Sequence, residues 1–222
     1  IQRAAETALG DRRGAVVALD VNTGEVLAIA SRPGFDPNWF AGRLSHDRWQ
    51  QLNGPDKPLL DRARTAYPPG STFKIVTAIA GMQSGRFPSG TILSTAASLT
   101  YGGTRFGEHG GSGYGAIGYA KALAVSSNTF FYQVGFGVGP EAIARWGHAL
   151  GIGHPAARLG LPGGANGQIP TPADKKQRYG SPWYIGDTIS SAIGQGLVLA
   201  TPVELATMAV SYTHLRAHET VL

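Results

Sequence analysis

Tyr67-Pro68-Pro69-Gly70-Ser71-Thr72-Phe73-Lys74 is the stretch from which the fold and chemistry of this chain can be read. Two prolines and a glycine stop regular structure sharply. Ser71 then opens an apolar segment that runs to about Met82, with Phe73, Ile75, Val76, Ile79 and Ala80 at helical spacing and Gly85 as terminator. A spacing of three puts the Ser71 hydroxyl and the Lys74 amine on one helical face, within hydrogen-bond reach. A serine is a weak nucleophile without a base beside it. A lysine serves as that base when burial or neighbouring positive charge lowers its pKa. The helix N-terminus adds positive potential at Ser71, whose own N–H can act as an oxyanion donor. Taken alone, Ser-x-x-Lys is a weak signal, equally readable as a helix cap with a surface lysine. The Pro-Pro-Gly approach and the apolar helix behind it place Lys74 inside.

Working outward, Ser126-Ser127-Asn128 lies 55 residues beyond Ser71, between two apolar helical stretches. Hydroxyls and an amide at a helix junction are usually caps. Beside the first motif they form a functional set: Ser126 can relay a proton between Lys74 and a leaving group, and Asn128 can hold Lys74 and a substrate amide. Residues 116–126 are predicted helical. A second helix begins near Asn128 and carries Phe130, Phe131 and Val134, and Pro140 to Leu150 is amphipathic. Upstream, residues 14–21 read as a mostly apolar strand and Glu25-Val26-Leu27-Ala28-Ile29-Ala30 as a second. The Asn22-Thr23-Gly24 connection between them is a hairpin signal. Residues 31–69 read as loop with short helical pieces, 86–115 as strand fragments and loop, and 151–188 as loop-rich. Thr201-Pro202-Val203-Glu204 is a helix start with cap, proline and reciprocal glutamate, predicted to run to about Val210.

The bulk composition limits the alternatives. With 222 residues, 42% apolar and 15% charged, the chain suits one globular domain. It has no cysteine, which excludes disulfides, a thiolate nucleophile and Cys-based zinc sites. The net charge of +5 favours an anionic neighbourhood such as a membrane surface or wall polymer, while no basic run or finger spacing supports nucleic acid. Glu108-His109 lacks the further ligands of a metal site, and no cofactor is implied. His148 and His154 read as capping or solvent contacts, and Asp174-Lys175-Lys176 as a solvated charge cluster. Asp187, with Trp183-Tyr184, is a candidate for the acceptor side of a cleft, although packing beneath Gly194-Gln195-Gly196 is the favoured reading.

Ser71-Thr72-Phe73-Lys74 followed by Ser126-Ser127-Asn128 resembles the first two of three signature motifs of penicillin-binding proteins and serine β-lactamases. The string from Tyr67 to Lys74 is similar to the elongation-specific class B transpeptidases of the penicillin-binding protein 2 type. So are Asn128-Thr129-Phe130-Phe131-Tyr132-Gln133, Pro182-Trp183-Tyr184-Ile185-Gly186-Asp187-Thr188, Ile193-Gly194-Gln195-Gly196 and Ala200-Thr201-Pro202. The likeness runs from about residue 13 to 210. It implies an α+β transpeptidase fold, a helical subdomain with an antiparallel sheet, and a D,D-transpeptidase acting on D-Ala-D-Ala stem peptides through an acyl-serine. The implied catalytic residues are Ser71, Lys74, Ser126 and Asn128, with Ser126 and Asn128 also binding substrate. The implied partners are peptidoglycan stem peptides, β-lactams and a membrane glycosyltransferase of the elongation machinery. The implied location is the bacterial inner membrane, with the catalytic domain on its periplasmic or outer side and any anchor outside this sequence. Alternatives are a D,D-carboxypeptidase or serine β-lactamase, and a non-catalytic β-lactam sensor or scaffold of the same fold.

One element of the resemblance is missing. The third motif, Lys-Thr-Gly or Lys-Ser-Gly on an edge strand, does not occur, because no lysine follows Lys176. Its second oxyanion donor is worth roughly 3–4 kcal/mol. The chain is therefore expected to be a truncated transpeptidase domain over 1–210 without the C-terminal sheet strands, barely active or inactive as it stands. Residues 211–222 depart from the family pattern and are expected to be a non-native tail.

Overall fold

The computed structural model describes residues 1–153, 161 and 163–218, with backbone alone for 214–218. His154 lies outside the described residues. Two compact units emerge, one gathering residues 1–66 with 163–166 and 200–218, the other 67–153 with 167–199.

In the first unit, β1 (Gly14–Leu19) pairs antiparallel with β2 (Val26–Arg32), in register from Gly14 against Arg32 to Ala18 against Ala28, with a bulge before Leu19. The turn is tied by the Asp20 carboxylate, which accepts from the amides of Asn22 and Thr23 at 2.8 and 2.9 Å. A two-stranded ribbon is marginal in water. Here α1 (Gln2–Leu9) packs on β2 and α9 (Pro202–His218) on β1, burying Ala5, Ala28 and Ala30. The Gln2 side-chain amide also donates to Ile29 O and accepts from Ile29 N, both at 2.8 Å, occupying part of the free edge of β2. The predicted loop region contains a 3₁₀ turn (Pro37–Phe40) and α2 (His46–Asn53).

The start of α9 is as predicted. Thr201 N donates to Glu204 Oε2 at 2.8 Å and Glu204 N to Thr201 Oγ1 at 3.1 Å. It does not stop at Val210 and is described as far as His218. Residues 203–218 contain neither glycine nor proline, so nothing local stops the helix.

The second unit is helical, with two small two-stranded antiparallel sheets. A 3₁₀ turn (Gly70–Phe73) runs into α3 (Lys74–Gln83). The pair β3 (Ile92–Thr95) and β6 (Gly115–Gly118) and the pair β4 (Ser98–Tyr101) and β5 (Thr104–Gly107) follow. Then come α4 (Tyr119–Ala124), α5 (Asn128–Val138) and α6 (Pro140–Ala149). The core is α5, which buries Phe130, Phe131 and Val134 fully and packs on α3, α6 and α8 (Ile185–Ser191). Three predictions need correction. Helix does not begin at 116, because the glycine-flanked segment 115–118 pairs with β3 instead. The loop-rich stretch holds α7 (Pro172–Tyr179) and the start of α8. Asp174 and Lys175 are not merely solvated: Asp174 closes a capping box with Thr171, and Lys175 Nζ lies 2.6 Å from Asp187 Oδ2 with both side chains mostly buried. Among the described residues no helix is long and apolar enough to cross a membrane.

Candidate active site

Gly70 enters the 3₁₀ turn with φ +57°, a left-handed conformation that costs glycine little. Its N–H donates to Gly194 O at 2.9 Å. A Cβ on Gly194, itself at φ +69°, would sit 2.4 Å from Gly70 O and 2.6 Å from Phe73 Cβ. The Gly194-Gln195-Gly196 turn is thus pressed against the turn that carries Ser71. Because side chains three apart eclipse in a 3₁₀ turn, Ser71 and Lys74 fall on one face. Ser71 is exposed, whereas Lys74 is 1% exposed. The Ser71 amide lies in the first turn, where N–H groups have no intrahelical acceptor.

Lys74 does not hydrogen-bond to Ser71 as the spacing suggested. Its Nζ donates to Ser126 O at 2.6 Å, Asn128 Oδ1 at 2.7 Å and Ser126 Oγ at 3.1 Å. These three acceptors match the three N–H bonds of an ammonium. The Phe131 ring lies 5.8 Å from the nitrogen. Among the described residues the Ser71 hydroxyl has no hydrogen-bond partner, so it is exposed and uncommitted. Burial lowers the Lys74 pKa to about 8, partly opposed by the negative charge of Glu108. A tenth or so of the amine is then neutral at pH 7 and half at pH 8, enough for a general base.

Ser126 reaches Lys74 from an unusual backbone. It has φ +53°. Its N–H donates to Leu123 O at 3.0 Å and that of Ser127 to Ala122 O at 2.9 Å. This is the paired closure of a helix C-terminus in which the left-handed position usually holds glycine. A serine there costs on the order of 1 kcal/mol. Ser127, fully buried, turns the other way and caps α5 by accepting from Phe130 N at 3.2 Å.

The residue that sequence reasoning passed over as functional is Glu108, placed just after β5. Its side chain is wholly buried, and it accepts from Ser127 Oγ (2.7 Å), Asn128 N (2.7 Å), Thr129 N (3.1 Å) and Thr129 Oγ1 (3.0 Å). Burial raises its pKa, but the hydrogen bonds from Asn128, Ser127 and Thr129 outweigh it and bring the carboxyl down to about 2. His109 Nδ1 lies 3.1 Å from Oε1, and among the described residues no cluster suited to a metal ion occurs. The only sequence signal was a lone acidic residue in a glycine-rich stretch. Asp187 stands apart from the Lys74 cluster in its contacts, held by Lys175 and accepting from Tyr184 N at 2.7 Å.

The model of the penicillin-binding protein transpeptidase domain matches residues 14–214. The chain belongs to the penicillin-binding protein transpeptidase family. It is 37% identical over 210 residues to the peptidoglycan D,D-transpeptidase MrdA of Escherichia coli K12, covering 93% of this chain and 33% of that protein. Among solved structures, it resembles Pseudomonas aeruginosa PBP2 in complex with WCK 5153 with TM-score 0.89 and 33% identity, covering 94% of this chain and 46% of that one. The complex of PBP2 and MreC from Helicobacter pylori gives TM-score 0.89 and 29% identity, covering 94% and 39%. The fold is therefore the α+β penicillin-binding transpeptidase fold, of the PBP2 type, as the motifs implied. The chain spans about a third of the length of the curated relative.

Proposed function

We propose that this transpeptidase chain carries the acylating centre of a peptidoglycan D,D-transpeptidase of the elongation class. The observation that carries the reading is the Lys74 amine, buried under an exposed Ser71 and held by Ser126 and Asn128 from the second motif. Neutral Lys74 takes the Ser71 proton as Oγ attacks the carbonyl between the last two D-alanines of a stem peptide. The Ser71 N–H receives the developing oxyanion. The C–N bond breaks, and the proton returns through Ser126 to the departing D-alanine amine. An amine of a neighbouring stem then takes the acyl group, closing the cross-link and freeing Ser71. Asn128 orients both Lys74 and the substrate amide. β-Lactams acylate the same serine and leave slowly. Glu108 does not supply a water-activating base, since both its oxygens are occupied within the protein.

The relative solved with MreC supports a place in the elongation machinery, where a membrane glycosyltransferase would supply glycan. The bacterial inner membrane, with catalysis on its outer side, is the matching location. No lysine follows Lys176 in these 222 residues, so they hold no third motif, and the polypeptide of this sequence is proposed to acylate slowly. Fluorescent penicillin labelling of the purified chain tests both points. Weak labelling that disappears in Ser71→Ala is expected. Labelling that persists in Ser71→Ala overturns the nucleophile, and rapid stoichiometric labelling of the unaltered chain overturns the impairment.

A further inference from the structure

The Ser126–Asn128 corner has three demands placed on it at once. Ser126 must hold a left-handed backbone, present its carbonyl and hydroxyl to Lys74, and leave Asn128 Oδ1 facing the same nitrogen. Closure of α4 through Leu123 and Ala122 fixes the corner from one side. From the other side, consecutive residues 127, 128 and 129 all donate to one carboxylate, that of Glu108. Glu108 is itself anchored, its N–H donating to Ala97 O at 2.8 Å.

We propose that Glu108 is the positioning residue of this site, a buried carboxylate that clamps Ser127, Asn128 and Thr129 so that the Ser126 turn delivers its acceptors to Lys74. This rests on the acylating role proposed for Lys74 but concerns how that amine is held. The arrangement divides the motif by direction. Ser126 and Asn128 spend their side chains on Lys74, and Ser127 spends its own on Glu108. The clamp requires an anion, because every donor facing Glu108 is an N–H or O–H and an amide in its place would turn two hydrogens toward them. A glutamine would therefore satisfy at most part of the set and expel the corner from its register.

The same carboxylate is the negative charge facing Lys74. The other groups around the amine, Ser126, Asn128 and the Phe131 ring, are neutral. Around Glu108 the titratable neighbours are His109, in contact at 3.1 Å, and Tyr132, whose hydroxyl pKa is raised by burial and by Glu108. A purely structural brace would leave the Lys74 titration alone once the fold is intact. Glu108 moves it, since its charge opposes the lowering by burial.

The test needs no turnover, so it is separable from the proposed function. Lysine side chains labelled with ¹³C at Cε are titrated by NMR in the whole chain, Lys74 being assigned by its loss in Lys74→Arg, with His109→Ala as a background that removes the neighbouring imidazole. In Glu108→Gln the Lys74 midpoint should fall below its parent value, and amide exchange at Asn128 and Thr129 should accelerate at least tenfold. Glu108→Asp should restore the Lys74 midpoint while recovering protection only in part. An unchanged midpoint together with unchanged exchange in a folded Glu108→Gln overturns the proposal. Should that variant not fold, the unaltered chain decides. Its Glu108 carboxyl, followed by ¹³C shift, should remain ionised below pH 3, and a midpoint of 4 or above overturns the clamp.

Discussion

The depressed pKa of Lys74 makes a quantitative demand on the rate of acylation. An unperturbed lysine at 10.5 is neutral in about one molecule in 3,000 at pH 7, whereas one at about 8 is neutral in about one in eleven, a gain of about 300-fold in competent base. If Lys74 removes the Ser71 proton, the second-order rate of acylation by a fluorescent penicillin should climb about tenfold per pH unit between pH 5.5 and 7 and flatten above about 8. Lys74→Arg should lose that limb along with nearly all the rate, since guanidinium does not deprotonate in this range. The same shift appears in stability with a definite sign. Between about 8 and 10.5 the unfolded chain holds a proton on this amine that the folded chain has released, so folding strengthens as pH rises across that window, by about 3 kcal/mol in total. Urea unfolding at pH 8 and pH 10, compared between the parent and Lys74→Met, isolates the contribution. A rate profile flat from pH 6 to 9, or one that bends only near 10, would refute Lys74 as the base.

Contacts around the site set two further outcomes. Gly194→Ala should cost about 2–4 kcal/mol, combining a left-handed backbone with overpacking against Gly70 and Phe73, and thermal melting that shows less than about 1 kcal/mol would contradict the close approach. Asp187→Ala removes both the Lys175 partner and the acceptor for Tyr184 N, and should cost about 2 kcal/mol in urea melts. Asp187→Asn should cost less than half of that, because an amide oxygen still caps α8; equal losses would show that the charge alone matters.

The parts legible in the sequence were those fixed by neighbours along the chain. Asn22-Thr23-Gly24 marked the β1–β2 turn, Thr201 and Glu204 marked the start of α9, and the Ser71–Lys74 spacing survived the change from α-helix to 3₁₀ turn because both place positions three apart on one face. Helix α7 was hidden because its sequence, Pro-Ala-Asp-Lys-Lys-Gln-Arg-Tyr, has no apolar stripe; its cap, Thr171 with Asp174, was the available sign. Glu108 was hidden for a different reason. Its partners lie 19 to 21 residues away and include two backbone amides, which leave no mark on composition or spacing. The contacts of Lys74 with Ser126 and Asn128 were expected from the two motifs, but that the amine bonds to them and not to Ser71 depends on how α4 closes, a matter of one left-handed residue.

That closure gives the corner an inside and an outside. Ser127 is fully buried, yet it sits between the two residues that hold Lys74, and its hydroxyl ties them to the Glu108 anchor. A replacement there would retune the surroundings of the Lys74 amine from behind, leaving the exposed Ser71 side chain chemically unaltered.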